Sequence, residues 1–304
     1  MVLLSQLPQW FCQLVVIAFG YLSISAAHGQ IFVSNLNEGT ISEFGFDGST
    51  LNASLISGLF APEGMAVSGS NLFVANFNRA QQGVGEYTTS GVTVNSSLIN
   101  VVFASRLALS GSNLFVGTGL REIGEYTTSG ATINASLISD PSLGSLSGLV
   151  VSGSNLFALS NGKVIEYTTS GTLVNASLIS GLNTSSTMAI SGSNLFITDP
   201  INGTIAEYTT LGTLVNASLI SGLSNPVALT VSGSNIFVVN RGTSTIGEYA
   251  ISGATINASL VSGLTADPVD IAVVPTPEPS TIALMVLGLS LLVFERCRRY
   301  RILS

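Results

Sequence analysis

The chain has 304 residues, of which 46% are hydrophobic and only 8% are charged, and its mean hydropathy is +0.57. Ordinary soluble domains carry about 25% charged residues, so Ser, Thr, Asn and Gly must supply most of the polar surface, as is typical of short strands and tight turns. Without the four arginines and two glutamates of the C-terminal tail, the chain has 14 acidic and 5 basic residues. This balance excludes a basic face for nucleic acid or anionic lipid.

Cysteine and histidine are scarce, which limits the chemistry open to the chain. The two cysteines, Cys12 and Cys297, lie in the terminal segments, so the region between them has no disulfide framework or thiolate metal site. His28 is the only histidine, and it precedes the repeats described below. We therefore expect no histidine-dependent catalytic triad, no metal site and no cofactor in residues 31–274.

The N-terminal segment, residues 1–29, is predicted to be a helical signal peptide. An uncharged apolar run from Trp10 to Ile24 precedes small residues, and either Ala27 or Gly29 fits the position after which signal peptidase cuts. No Lys or Arg precedes the run, although signal peptides usually begin with positive charge. An uncleaved membrane anchor therefore stays open as the alternative.

Residues 31–274 consist of one sequence unit that occurs six times. The anchor Gly-Ser-Asn, followed by Leu or Ile and then Phe, recurs at spacings of 42, 42, 39 and 41 residues, and a further copy opens the region without the anchor. Repetition at this period is typical of propellers and solenoids. The repeats begin near Ile31, Asn71, Asn113, Asn155, Asn194 and Asn235.

Each repeat is predicted to form four short strands. In the copy at 194–234, the runs NLFIT, TIAEYTT, TLVNASLI and VALTVSG are rich in Val, Ile, Thr, Phe and Tyr, and turn-forming residues separate them. Four strands in about 41 residues is the size of one propeller blade. The sequence therefore predicts an all-β fold, a six-bladed β-propeller with four antiparallel strands in each blade.

The two ends of the repeat region are predicted to share one blade. The chain enters on a strand that matches NLFIT and leaves on one that matches VALTV, so the N-terminal part supplies three strands and the C-terminal part the innermost one. We expect Val269–Val274 to pair with Ile31–Ser34 and to bury Val269, Ile271 and Val273. A ring closed in this way leaves no free strand edge between blades.

The repeat resembles the NHL and YVTN propeller families. In these families a P-x-G-[IV]-A-V inner strand precedes an [IL]-[FY]-V-[AT]-[DN] strand and then an I-x-x-[FY] strand. The matching elements here are PEGMAV at Pro62–Val67, LFVAN at Leu72–Asn76 and IGEY at Ile246–Tyr249. The resemblance covers residues 31–274, and it implies the fold without implying a reaction.

The C-terminal segment, residues 275–304, resembles the PEP-CTERM sorting signal of bacterial surface proteins. A proline-rich motif precedes 13 uncharged residues, Ile282–Phe294, and a cluster of arginines. The resemblance implies that an exosortase, a membrane cysteine peptidase or transpeptidase, recognises and removes this tail. The sorting motif is Pro277, Glu278, Pro279, Ser280 and Thr281.

The predicted transmembrane helix at 282–294 is short for a permanent anchor. A helix of this length spans roughly 20 Å, against roughly 30 Å for the hydrocarbon core of a bilayer. The arginines behind it are expected to stop transfer and stay cytoplasmic, so that the chain is held only transiently at the inner membrane. The alternative is a plain C-terminal anchor. The stop-transfer residues are Arg296, Arg298, Arg299 and Arg301.

Charged residues at the entry of the innermost strands form the candidate binding site. The aligned residues are expected to ring one mouth of the central channel, and Arg106 and Asp270 are charged where the others are small or polar. Together with Glu63 they could hold a small anionic or polar ligand, and the alternative is a structural ion pair. The aligned residues are Gly64, Arg106, Gly148, Thr187, Ala228 and Asp270.

Three polar columns recur in the repeats, and all three are predicted to be structural. Glutamates of the third strand are expected to be solvated or bonded to turns, because they stand too far apart to share a Ca²⁺ ion. Asn-[AS]-Ser triplets are formally glycosylation acceptors and are expected to supply surface polarity. Polar residues that end the second strand are expected to cap their own turns. The columns are Glu43, Glu86, Glu125, Glu166, Glu207 and Glu248; Asn52, Asn95, Asn134, Asn175, Asn216 and Asn257; and Asn35, Asn76, Thr118, Ser160, Asp199 and Asn240.

These observations predict an exported bacterial protein at the cell surface or in an extracellular matrix such as a biofilm. It would bind a carbohydrate, such as exopolysaccharide, or a protein partner, or serve a structural role, after processing by signal peptidase and an exosortase. The alternative is a propeller-type lactonase or lyase with its active site at the channel mouth. Catalysis is the less favoured hypothesis, because Glu63, Arg106 and Asp270 include neither a histidine nor a nucleophile paired with a base.

Overall fold

The computed structural model describes residues 29–77, 83–264 and 267–274, and these residues form an all-β protein. Twenty-four strands build six four-stranded antiparallel sheets, one for each sequence repeat. Within the described residues, no helix is long and apolar enough to cross a membrane. The predicted signal helix and the predicted transmembrane helix at 282–294 lie outside the described residues.

The six sheets are the blades of a propeller, and each runs from an inner strand beside the central axis to an exposed outer strand. Blade 1 has the order β24-β1-β2-β3, and blades 2 to 6 each use four consecutive strands. The strands are β1 Gln30–Asn35, β2 Thr40–Gly45, β3 Thr50–Ile56, β4 Pro62–Ser68, β5 Asn71–Asn76, β6 Val84–Thr88, β7 Thr93–Ile99, β8 Ala104–Ser110, β9 Asn113–Thr118, β10 Glu122–Thr127, β11 Thr132–Ser139, β12 Leu146–Ser152, β13 Asn155–Ser160, β14 Lys163–Thr168, β15 Leu173–Ile179, β16 Met188–Ser191, β17 Asn194–Asp199, β18 Thr204–Thr209, β19 Leu214–Ile220, β20 Pro226–Ser232, β21 Asn235–Asn240, β22 Thr245–Ala250, β23 Thr255–Ser262 and β24 Pro268–Val274.

Blade 1 is closed by the C-terminal strand, as the alignment of the repeats predicts. β24 pairs with β1 in antiparallel register, with Val273 opposite Ile31. The predicted burial of β24 was partly wrong, because Ile271 is buried whereas Val269 and Val273 are only half-buried. Both half-buried valines lie near the ends of the innermost strand. One edge of this strand pairs with β1, and the other edge faces the channel.

The second strand of each blade is the centre of the hydrophobic core. Its apolar run is buried on both faces, because each blade packs between two neighbours. In β1, Ile31 and Val33 pack toward blade 6, and Phe32 packs toward blade 2, as the alternation of side chains along a strand requires. Six clusters of this kind fill the six junctions between blades. The buried phenylalanines of the second strands are Phe32, Phe73, Phe115, Phe157, Phe196 and Phe237.

A tight contact between neighbouring blades recurs at a glycine in the turn before the outer strand. Gly91 has a φ of 86°, and a Cβ added there would lie 2.7 Å from the carbonyl oxygen of Leu55 in blade 1. Gly48 approaches the carbonyl of Leu260 in blade 6 in the same way, so the junction that closes the ring is packed like the others. A side chain at either glycine would be strained by its φ and blocked by the carbonyl.

The outer strand of each blade is an exposed edge that its own sequence protects. In β15 the pairing register shifts beside Asn175, and the side-chain oxygen of Asn175 accepts a hydrogen bond from the Ser177 amide at 3.0 Å. The same bond recurs in all six blades. The triplet thus bends the edge and occupies one of its donors, and both features hinder pairing with another chain. This role is more specific than the predicted surface polarity.

Candidate functional site

The inner strands of all six blades line a central cavity of about 220 Å³. Typical small-molecule sites have volumes of about 300 to 1,000 Å³, so this cavity is small for a ligand. One equivalent position supplies an apolar side chain from every blade to its wall. These side chains are Met65, Leu107, Leu149, Met188, Leu229 and Ile271.

Arg106 is the centre of the polar cluster at the mouth of this cavity. Its Nη1 atom lies 3.2 Å from Oε2 of Glu63, and the Arg106 side chain is 20% exposed. The same Nη1 donates to the carbonyl of Ser105 at 2.9 Å, and Nε donates to the carbonyl of Ser147 in blade 4 at 3.0 Å. The guanidinium is therefore held by three partners from blades 2, 3 and 4.

Asp270 joins the closing blade to the same cluster. Its Oδ2 accepts a hydrogen bond of 2.7 Å from the Met65 amide of blade 2. Burial raises the pKa of Asp270 to about 6, although the Arg106 guanidinium and the amides of Met65 and Ile271 favour the ionised form. Burial also raises the pKa of Glu63, an effect that Arg106 opposes and Asp270 reinforces. Arg106 thus pairs directly with Glu63, and its charge also favours the ionised form of Asp270.

The mouth position faces the next blade as well as the channel, which explains why most repeats have a small residue there. A Cβ on Gly64 would lie 2.6 Å from the Ser105 carbonyl oxygen of blade 3, and a Cβ on Gly148 would lie 2.9 Å from Met188 of blade 5. Arg106 and Asp270 reach the neighbouring blade with polar contacts instead. The three predicted mouth residues are therefore brought together, and their polar contacts cross the junctions between blades 1, 2, 3 and 4.

A second ion pair holds the closing strand from the side of blade 6. Nη2 of Arg241 lies 3.3 Å from Oδ1 of Asp267 and donates to the Pro268 carbonyl at 3.0 Å. Asn37 of blade 1 donates to the other carboxylate oxygen of Asp267 at 2.7 Å. Among the described residues, the only ion pairs are this one and the Glu63–Arg106 pair. A chain with few charges thus uses them in polar clusters that contact the closing strand from both sides.

The glutamates of the third strand are buried or half-buried in all six blades, so they are less solvated than predicted. Glu43, Glu86 and Glu166 are buried, and the other three are half-buried. Each carboxylate accepts a hydrogen bond of 2.6 to 2.9 Å from an amide side chain at the start of the second strand, which is the Asn of the Gly-Ser-Asn anchor in five blades and Gln30 in blade 1. The anchor and the glutamate column are therefore one structural unit, although they are two separate patterns in the sequence.

Glu166 offers a test of this unit. Glu166→Gln keeps an oxygen that accepts the bond from Asn155 and removes a carboxylate whose pKa burial raises, so we expect the free energy of unfolding to change by less than about 1 kcal/mol. Glu166→Leu leaves the Asn155 amide unsatisfied and should cost about 1 to 3 kcal/mol. Urea unfolding of the two variants measures the difference. Equal stability of the two variants would contradict the assigned role.

The polar residues that end the second strands cap their turns only in part. Oδ1 of Asp199 accepts hydrogen bonds from the amides of Ile201 and Asn202 at 3.1 Å, as predicted. Asn35 instead donates across the blade to the hydroxyl of Ser42 at 2.9 Å. Five of the six residues are buried, so in five blades this column belongs to the interior of the blade.

A larger cleft, which was not predicted from the sequence, lies at the periphery between blades 2 and 3. It has a volume of about 510 Å³. Glu122 and Tyr126 of β10 line it together with Asn100 and Leu120. Burial, and then the charge of Glu122, raise the pKa of the Tyr126 hydroxyl. The link from β7 to β8 lacks the Ser-Gly-Leu sequence of blade 1 at this point, and that departure from the repeat is the feature from which the cleft could have been predicted.

No group of three or more His, Cys, Asp or Glu side chains that could hold a metal ion occurs among the described residues. The predicted sorting motif and the predicted stop-transfer arginines lie outside those residues and stay predictions. Residues 275–299 match the PEP-CTERM protein-sorting motif. The match begins directly after Val274 of the closing strand and contains Pro277–Thr281 and three of the four tail arginines. The PEP-CTERM tail indicates an exported protein sorted to the cell surface and implies processing by an exosortase.

Comparison with solved structures supports the fold. A chain of the "Crystal structure of Nidogen/Laminin Complex" has a TM-score of 0.66 and 14% identity, over 81% of this chain and 98% of that chain. The computationally designed Ika8 protein has a TM-score of 0.44 and 14% identity, over 79% of this chain and 74% of that chain. In total 967 chains of solved structures are similar, so the fold does not identify a function. None of the curated proteins matches the sequence at a significant level.

Proposed function

We propose that this protein is an exported β-propeller that is held at the inner membrane by its PEP-CTERM tail, cut there by an exosortase, and then presented as a binding or structural module. Residues 1–29 would serve as the signal peptide and leave with signal peptidase. The mature propeller would reside at the cell surface or in the extracellular matrix. The observation that carries this proposal is the match to the sorting motif at residues 275–299, directly behind the closing strand.

The physical chemistry of the tail supports a transient membrane intermediate. The uncharged stretch 282–294 gives a helix of roughly 20 Å, which is shorter than the hydrocarbon core. The arginines behind it cross a bilayer only at high cost, so they hold the chain with its Pro-Glu-Pro motif on the outer side. A membrane peptidase can reach the motif in that arrangement.

The site geometry supports ligand binding at the peripheral cleft more than at the channel mouth. The mouth is small, and Arg106, Glu63 and Asp270 already bond to protein groups. The cleft between blades 2 and 3 has the volume of an ordinary ligand site and is lined by the half-buried Glu122 together with polar and apolar groups, which suits a carbohydrate or a peptide. No observation on the described residues favours the lactonase or lyase alternative.

Mass spectrometry of the exported native protein tests the sorting proposal. We expect the mature chain to end near Pro279–Thr281, without residues 282–304. Replacing Pro277 and Pro279 with Ala should leave uncut protein in the membrane, and replacing the four tail arginines with Ser should release uncut protein. An intact C-terminal peptide containing Cys297 in most molecules would identify a plain anchor and overturn the proposal.

A further inference from the structure

The first and last residues of the propeller strands, Gln30 and Val274, lie side by side on one of its two faces. Gln30, the first residue of β1, is the direct partner of Val274, the last residue of β24. In the other five blades, a Ser-Gly-Ser-Asn turn joins the inner and second strands at this point. We call the side that carries these five turns, and the six turns between third and outer strands, the terminus face. The opposite side, which carries the channel mouth with Arg106, is the loop face.

The tail is too short to let the propeller rotate freely while its motif is in an active site. Pro277 follows Val274 by three residues and Thr281 follows it by seven. A fully extended chain spans at most about 3.3 to 3.6 Å per residue, so these residues lie within about 10 and 25 Å of the end of β24. Resting on the proposed function, we infer that the terminus face is the surface apposed to the membrane-embedded peptidase during processing, and that the loop face points away.

The composition of the two faces fits this assignment. The turns of the terminus face consist mainly of Ser, Gly, Thr and Asn, and among their residues, all of which the structure describes, Asp47 is the only charged one. The glutamates beneath these turns are bonded to amide side chains. A surface of short neutral side chains allows close approach without leaving charges desolvated and unpaired. The loop face carries the charged loop residues Glu38, Arg121, Asp140, Arg241 and Asp267.

Insertion of a folded domain tests the apposition in the full chain. A domain of about 100 residues has a radius of gyration of about 13 Å, so its width is comparable to the whole reach of the tail. Inserted between Gly153 and Ser154 on the terminus face, it should lower the fraction of exported protein that has lost its tail at least tenfold. The matched control carries the same domain between Thr184 and Ser185, in an exposed loop of the loop face, and should be processed like the parent.

A linker variant separates obstruction from misfolding. Twenty Gly and Ser residues placed between Val274 and Pro275 add a mean span of about 25 Å and should restore tail removal to the Gly153–Ser154 insertion protein. Mass spectrometry for the peptide containing Cys297 scores every variant. Equal processing of both insertion proteins overturns the inference, and so does a loss that the linker fails to restore. Retention of the tail in the parent itself would instead refute the proposed function on which the inference rests.

Discussion

A chain that lacks residues 267–274 is expected to lose the cooperative unfolding transition of the propeller. These residues contain β24, which pairs with β1 along its length and buries Ile271 and Ala272 against neighbouring blades. Their deletion also removes both polar clusters that hold the closing blade, at Asp267 and at Asp270. A domain is stable by only about 5 to 15 kcal/mol in total, so the open ring should not retain a native state.

Circular dichroism melts of chains 30–274 and 30–266 measure this effect. The longer chain should unfold in one sharp transition, and the shorter chain should show a broad loss of signal or none. A synthetic peptide with the sequence of residues 267–274 should bind the shorter chain and partly restore the transition, because it supplies the missing inner strand. An unchanged cooperative transition in the shorter chain would rule out closure by β24.

The repeat made most of the fold predictable from sequence. Six copies repeat the same order of apolar runs and turns, so an ambiguity in one copy is settled by the others. The copy at Ile31 lacks an inner strand, and the segment ending at Val274 lacks the other three strands of a blade. The two parts are therefore predicted to form the closing blade together. Alternation along each strand also places Ile31 and Phe32 on opposite faces before any coordinates are known.

Contacts between repeats were not predictable in the same way. The alignment shows that Arg106 departs from its column, but it does not show that the side chain reaches back to Glu63 and forward to Ser147. Whether Arg106 can reach these partners depends on the distance between adjacent inner strands. Small residues in the same column, such as Gly64, indicate that this distance is short but do not give its value. The pairing of Glu166 with Asn155 was missed for a related reason, because the two residues lie in different strands of one blade.

The mouth cluster makes the stability of the propeller depend on pH in a predictable direction. Asp270 has a pKa of about 6 in the folded chain and of about 3.8 otherwise, so the folded state binds more protons between these values. Stability from this group is therefore fully present at low pH and falls as pH rises from about 4 to about 6. Asp270→Asn should make that slope shallower. Glu63 and Glu166, whose pKa values burial also raises, contribute to the pH dependence in the same direction.

Replacing Arg106 with Met should cost about 2 to 4 kcal/mol at pH 7, because it leaves the partly buried carboxylate of Glu63 without its partner. The loss should shrink as pH falls toward 4.5, since removing the positive charge raises the pKa of Glu63 and Asp270 further and both groups then protonate in the folded state. Urea unfolding at the two pH values measures both effects, and Arg121→Met, which changes an exposed arginine on the loop face, is the matched control. If the loss of unfolding free energy equals that of the control, or does not depend on pH, then the contacts of Arg106 with the neighbouring blades do not stabilise the propeller.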